Sequence, residues 1–464
     1  MTIRPLTRHA RAAALAILTA AACAAPSPAQ TAGGELSATR LTPAARHAIA
    51  DSVARILEAR YADSTAAVQL AQRLRARVAA GAYDRYDEPA AFGAAMMADM
   101  QEVSPNKHLR LTYEPTREYS LTPAAQGGAA PAGAVRWNRI DGRDSATLAR
   151  TNFAFDAVER LAGNVGYLKF RQFVPLDYSR ETVVAAMAFL ANSDAVIIDL
   201  RDNVGGSPEL VELILSYFYG PEPVTLLTTY GRYARVATQR RTLREVPGRR
   251  MPEAELWVLI NGNSASAAEM LPYAVQRLGR GVVVGETSAG AGIGGAKQSV
   301  GAGLALFVPQ MQVISGPGYE RTGVTPDVPV AGERALEVAH RVALEKLAGR
   351  DAPAEVREER RWALELVRAR QSPVAVDTAL LRRYAGSYGT RTFTVEEGRL
   401  VSTGALGWKS ALVPVGGGVF RGEQERLRFE SDADGAIRAV SVEVLNGASA
   451  RRARQADTRT ATRE

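Results

Sequence analysis

The chain has 464 residues, of which 46% are apolar, 23% charged and 6% aromatic, a balance typical of globular proteins that excludes disordered and low-complexity architectures. At about 150 residues per domain the length predicts roughly three domains, too much chain for a single peptide-binding module. The net charge of +8 arises from 57 basic and 49 acidic residues, but the two signs alternate, as in Arg357, Glu358, Glu359, Arg360 and Arg361, so no single-sign stripe points to a nucleic-acid partner.

The first 30 residues carry Arg4, Arg8 and Arg11 before an apolar stretch, Ala12 to Ala25, that is too short to span a bilayer. This reads as a secretory signal, residues 1–29, with Ser27 and Ala29 at the positions a signal peptidase requires and a mature chain from Gln30. Cys23 is the only cysteine. It follows Ala20, Ala21 and Ala22 rather than the bulkier aliphatic residue of a lipoprotein signal, which disfavours lipid anchoring there. Its removal leaves no thiol for disulfides, metal sites or nucleophilic attack. His47, His108 and His340 then remain, far apart in sequence and without HExxH spacing, so no histidine-built metal site is expected.

Residues 41–118 read as a helical bundle domain. Thr42 and Pro43 open its first helix, which places Ile49, Val53, Ile56 and Leu57 on one stripe. The second carries Leu70, Leu74 and Val78 and stops at Gly81. The third follows Asp87, with Pro89 in its first turn and Phe92, Met96, Met100 and Val103 at helical spacing. A linker rich in Ala, Gly and Pro spans residues 124–134. Residues 134–350 alternate short apolar runs with helical segments: Val165–Phe170, Ala195–Leu200, Leu256–Ile260 and Val282–Val284 predict buried strands of an α/β domain. A charged helix within residues 351–374 connects to a small β domain, residues 375–455, whose closely spaced turns predict a partly closed barrel. A polar tail, frayed after Ala450, is expected to be disordered over residues 456–464.

Chemistry is most legible in two turns. A strand ending at Asn261 runs through small residues into an Ala-rich helix near Ser266, so the amides of Ala267 and Ala268 face any oxygen gaining negative charge there. The same pattern also suits Ser264 or Ser266 as the plain N-cap of a structural helix. The second turn, Arg201, Asp202, Asn203, Val204, Gly205 and Gly206, leaves a strand and enters a helix at Ser207 and Pro208. Its bare amides match neither phosphate-loop pattern, and an oxyanion is the better guest.

Asp199 to Gly206, then Asn263 to Glu269, then Val284, Gly285, Glu286, Thr287 and Gly290, together resemble the successive signatures of the tail-specific (C-terminal processing) serine peptidase family. Asn106, Lys107, His108, Leu109 and Arg110, placed after a three-helix bundle, resemble the branch that includes the tricorn core and interphotoreceptor retinoid-binding protein. The resemblance covers roughly residues 42–345. It implies a crotonase-like α/β peptidase core for the central region, which with the N-terminal helical bundle and the C-terminal small β domain read above makes a multidomain protein. It further implies Ser266 as nucleophile, His108 as general base, Glu320 as the acid that orients the imidazole, and an oxyanion hole from Gly205, Gly206 and Ala267.

The Ser-Lys peptidases of the family carry a lysine where this chain has Ala289, Gly290, Ala291, Gly292, Ile293 and Gly294, so Lys297 is the nearest candidate base and is weaker than His108. Lys107 and Asn106 stand where the branch has a relaying serine and an acid. The interval from His108 to Val165 is too short for a PDZ module beside the linker. Ser104 to Lys107 spells SxxK, but a strand over Leu109–Tyr113 removes the helix that this chemistry needs. The expectation is an exported, periplasmic or secreted serine peptidase acting through an acyl-enzyme on Ser266. It would use peptide or protein substrates, no metal or organic cofactor, no nucleic acid and no transmembrane segment in the mature chain. The alternative is a catalytically inactive binder of apolar ligands on the same fold.

Overall fold

In the computed structural model the described residues are 40–116, 145–292, 294–445 and 447–455. The secretory-signal, linker and terminal-tail expectations fall outside them. Helix α1 (Pro43–Arg60) starts as its sequence predicts: Thr42 caps it by accepting from Ala45 N at 3.2 Å, with Pro43 in the first turn. Asp63 caps α2 (Ser64–Ala79) through the amides of Thr65 and Ala66, both at 3.0 Å. Helix α3 (Pro89–Val103) follows, then the short strand β1 (Arg110–Tyr113).

The central region runs α4 (Ser145–Arg150), β2 (Phe155–Leu161), β3 (Val165–Phe170), α5 (Leu176–Leu190), β4 (Ala195–Asp199), α6 (Pro208–Ser216), β5 (Thr225–Gly231), β6 (Val236–Arg241), β7 (Glu255–Ile260), α7 (Ala267–Arg277), β8 (Gly281–Gly285), β9 (Gly295–Gly301), β10 (Leu304–Pro309), β11 (Met311–Val313), β12 (Val328–Pro329) and α8 (Ala335–Ala348). Its main sheet has the order β12-β8-β7-β4-β3-β2. All neighbours are parallel except the edge pair β2–β3. Every residue of β4 and β7 is buried, because helices cover both faces and such strands carry apolar side chains on each. Residues of α5, α6 and α7 build the core on one face; α8 and α9 (Ala354–Gln371) build it on the other.

Two smaller sheets were not anticipated from the sequence. β5, β6 and β11 form one, and β1, β10 and β9 form the other. Strand β6 is exposed along most of its length, so it shows no in-out alternation to read. Strand β10 is the more consequential. Its Leu304, Leu306 and Val308 pack into the same core as Val53, Leu57, Leu70 and Phe92 of the bundle. The bundle's apolar stripes are thus closed by a strand more than two hundred positions away.

After α10 (Thr378–Tyr384) come β13 (Gly386–Tyr388), β14 (Arg391–Glu396), β15 (Arg399–Thr403), β16 (Lys409–Ala411), β17 (Val413–Gly416), β18 (Val419–Arg421), β19 (Glu425–Ser431), β20 (Ile437–Val444) and β21 (Ser449–Ala453). They form two antiparallel sheets, β13–β16 and β17–β21. A bridge from Tyr388 to Arg454 joins β13 to the end of the β21 edge, and β16 and β17 are separated by Leu412 alone. Residues 449–453 pair with β20 rather than fraying after Ala450, because their partner strand supplies the backbone acceptors that a polar sequence conceals.

Candidate active site

The carboxyl ends of β3, β4, β7 and β8 share one rim of the main sheet, where open α/β sheets place their ligands. Asp199 closes β4. Its buried carboxylate takes the Tyr167 hydroxyl at 2.7 Å and Arg201 Nε at 2.9 Å, and Arg201 Nη1 reaches Gly332 O at 2.5 Å. The next residues are fixed to their surroundings by side chains. Asp202 Oδ1 accepts from Asn261 and Asn263, each at 2.9 Å, which holds its carboxyl below the usual range. Asn203 Nδ2 donates to Phe170 O at 2.8 Å and its backbone oxygen accepts from Ala265 N at 3.0 Å. The two turns recognised in the sequence are thereby bonded to each other.

Ser266 occupies the N-cap position of α7 with φ 58° and ψ −118°. An ordinary N-cap lies in the β region, so a conformation this rare for a residue with a Cβ marks strain held by the surrounding structure. The restraint comes from Glu269, one turn into the helix. Its fully buried carboxylate accepts from the amides of Ser266 (2.9 Å), Gly290 (2.7 Å) and Ala291 (2.8 Å) and from Ser288 Oγ (2.6 Å). Burial pushes this carboxyl up despite the four donors. Ser266 N also donates to Ala291 O at 2.8 Å.

Gly205 lies directly against this turn. A Cβ there would stand 2.5 Å from Ala265 O, 2.6 Å from Ser266 Cβ and 2.9 Å from Ala267 N, and its φ is +87°. Its amide is occupied, donating to Asn203 Oδ1 at 2.9 Å. Gly206 differs. Its bridge to Phe173 is made through Gly205 O (2.8 Å) and Ser207 N (2.7 Å), which leaves its own N–H on the opposite side. Ala267, first in α7, has no acceptor inside its helix.

The segment 106–108 approaches the same loop, 288–292, from the bundle side. Lys107 Nζ donates to Ala289 O at 2.5 Å. Glu320 accepts from Gly292 N at 2.7 Å and from Asn106 Nδ2 at 3.0 Å. Asn106, buried, accepts through Oδ1 from the amides of His108 (2.8 Å) and Leu109 (3.1 Å). The His108 ring rests 5.9 Å from that of Phe307, and its buried Nδ1 has no partner among the described residues. Burial, with a smaller effect from Arg110, pushes its pKa down to about 4, so the imidazole is neutral near pH 7. Lys297 is paired with Glu114. A cavity of about 220 Å³ opens beside Asn106 and Glu320, lined also by Tyr61, Val313 and Tyr319. Among the described residues no three His, Cys, Asp or Glu side chains converge as a metal set would.

The structure therefore gathers Ser266, Gly205, Gly206 and Ala267 at one point and ties the segments bearing His108 and Glu320 to the loop behind it. The bracing role of Glu269 was not read from the sequence, and Asn106 was read there only as the residue standing in place of an acid. The S-x-x-E spacing of Ser266 and Glu269 is the capping-box signal that could have revealed the first. The bond from Asn106 to Glu320 becomes visible only once that distant residue is placed.

Residues 164–330 match the profile of peptidase family S41. Among curated proteins, the carboxyl-terminal-processing protease of Picosynechococcus sp. is 28% identical over 199 residues, 41% of this chain and 44% of that protein. The chloroplastic carboxyl-terminal-processing peptidase 2 of Arabidopsis thaliana is 31% identical over 174 residues, 36% of this chain and 32% of that protein. The chain spans less than half the length of these relatives. The photosystem II D1 C-terminal processing protease superposes with a TM-score of 0.40 at 15% identity, over 62% of this chain and 93% of that one. In its central region the chain is thus similar to the tail-specific serine peptidases, as its motifs implied.

Proposed function

We propose that this protein is a serine peptidase that cleaves peptide bonds through an acyl-enzyme on Ser266. The observation that carries the reading is the left-handed backbone of Ser266 at the mouth of α7, held by Glu269 and faced by Gly205. A strained turn from strand to helix lifts a hydroxyl clear of its own backbone and sets it beside unpaired amides. In this reading His108 takes the proton from Ser266 Oγ as that oxygen attacks the carbonyl carbon, then passes it to the leaving amine. A water molecule, deprotonated by the same imidazole, releases the acid product.

The donors proposed for the oxyanion are the amides of Gly206 and Ala267. Gly205 contributes room, since its own N–H is already committed to Asn203. Glu320 orients His108 at second hand, through Asn106 and the main chain of residue 108. The central sheet with helices on both faces is read as a crotonase-like core, and export rests on residues 1–29. Labelling with a fluorophosphonate probe tests the assignment. Wild type should label, and Ser266→Ala and His108→Ala should not. A folded wild type that never labels would instead favour the non-catalytic binder.

A further inference from the structure

Two arginines of the C-terminal sheets stand where sheet electrostatics disfavours them. Arg421 on β18 and Arg426 on β19 are direct cross-strand partners, and like charges facing each other across a ladder repel. Arg421 is fully buried, its guanidinium 4.1 Å above the Trp362 ring and its Nη2 donating to Trp362 O at 3.0 Å. Both arginines share one carboxylate, Glu365, at 3.4 Å from Arg421 Nε and 3.5 Å from Arg426 Nη2. Neither contact is a well-formed hydrogen bond: Nε and Nη1 of Arg421 and Nε of Arg426 are buried without partners among the described residues.

The other acids nearby are engaged or face elsewhere. Glu358 accepts from Trp362 Nε1 at 2.5 Å and from Arg361 at 2.5 Å, and Glu443 stands opposite Arg426 on β20 without an ion pair to it. A buried cation lacking a full complement of acceptors costs several kcal/mol; Arg421 is that cation, and a second anion at the partly exposed Arg426 would leave Glu365 to Arg421. Beside Arg426, itself about one-third exposed, lies a cleft of about 580 Å³ between α9 and β17, lined also by Arg361, Trp362, Leu364, Glu365, Arg368 and Val415, so that its cations outnumber its one carboxylate. Its apolar wall and cationic side differ in chemistry, and a volume of this order suits a small organic molecule rather than an inorganic ion alone.

We infer that this cleft binds a small amphiphilic anion, a carboxylate or phosphate head on a short apolar chain, with the head at Arg426 and the chain along Trp362, Leu364 and Val415. None of these residues belongs to the Ser266 site, and the inference stands without the peptidase reading. Calorimetric titration of the full chain with octanoate and with mono-octyl phosphate tests it, octanol and inorganic phosphate serving as the headless and tailless controls. At least one of the two anions should bind saturably at one per chain, and which one does so identifies the head. Affinity should fall at least tenfold in Arg426→Gln, which relieves the repulsion with Arg421 and should keep the fold, and stay unchanged in Ser266→Ala. The inference is overturned if folded wild type binds neither anion saturably or if Arg426→Gln binds as tightly. It fails equally if octanol or inorganic phosphate matches the amphiphile.

Discussion

His108 is the residue on which pH dependence turns. Its folded pKa of about 4 lies below the ordinary 6.5 of a free imidazole, because burial penalises the charged ring. The proposed base therefore stays unprotonated well into acid, and the rate of probe labelling should hold from neutrality down to about pH 5 before it falls. Stability has the opposite dependence to that of a paired histidine. Between pH 6.5 and about 4 the unfolded chain takes up a proton that the folded chain does not, so stability declines as pH drops through that window, by at most about 3 kcal/mol. Above 6.5 the group contributes no slope. Urea melts of wild type and His108→Gln at pH 7 and pH 4.5 would show it, the variant losing less on acidification. An unchanged difference between the two would refute the burial argument.

Asn106 bonds at once to Glu320 and to the main chain at His108. A carboxylate at 106 could not share Glu320 Oε1 without repulsion, whereas the amide donates to Glu320 and accepts from two backbone N–H groups. Asn106→Ala should reduce probe labelling at least tenfold while Ser266→Ala and Asn106→Ala retain similar circular dichroism. Labelling at the wild-type rate would remove Asn106 from the positioning path. Gly205→Ala should be worse, because the new Cβ meets backbone and Ser266 Cβ below 3 Å; a loss of about 100-fold or more is expected where oxyanion geometry is disturbed.

At the scale of elements, the connection from β7 to α7 shows what sequence can carry and what it cannot. The strand, the helix start and the small-residue turn are local patterns, and each is where periodicity places it. The backbone angle of Ser266 is not local. It depends on the 288–291 loop presenting two amides and a hydroxyl to Glu269, a contact that spacing within α7 only hints at. Strand β9 was equally hidden, since Gly295–Gly301 mixes Gly, Lys and Gln with no alternation, whereas the apolar run of β10, Leu304–Pro309, shows only that it is buried and not that it completes another element's core. Glu269→Gln tests the loop contact. The amide replaces one acceptor oxygen with a donor facing other N–H groups, so the turn should lose about 2–4 kcal/mol of stability, read in urea melts. Labelling should fall with it, even at temperatures where the variant remains folded.

At the scale of the whole molecule, the predicted helical domain and the predicted core are bound by a common interior. The stripes of α1, α2 and α3 converge on Leu304, Leu306 and Val308 of β10, and β1 pairs with that strand at Arg110↔Phe307, two residues after His108. The base proposed here is consequently positioned by whether β10 is seated in the bundle. Residues 40–116 expressed alone lack the strands that close their core, and should give little helical circular dichroism and no cooperative melt. In the full chain, Leu306→Ala removes a fully buried side chain at a cost of about 2–5 kcal/mol, and it should slow labelling of Ser266 at temperatures well below the melt by loosening the seat of His108. A bundle fragment that melts cooperatively, or a Leu306→Ala protein that labels at the wild-type rate, would show that the helices and the core carry their halves of the site independently.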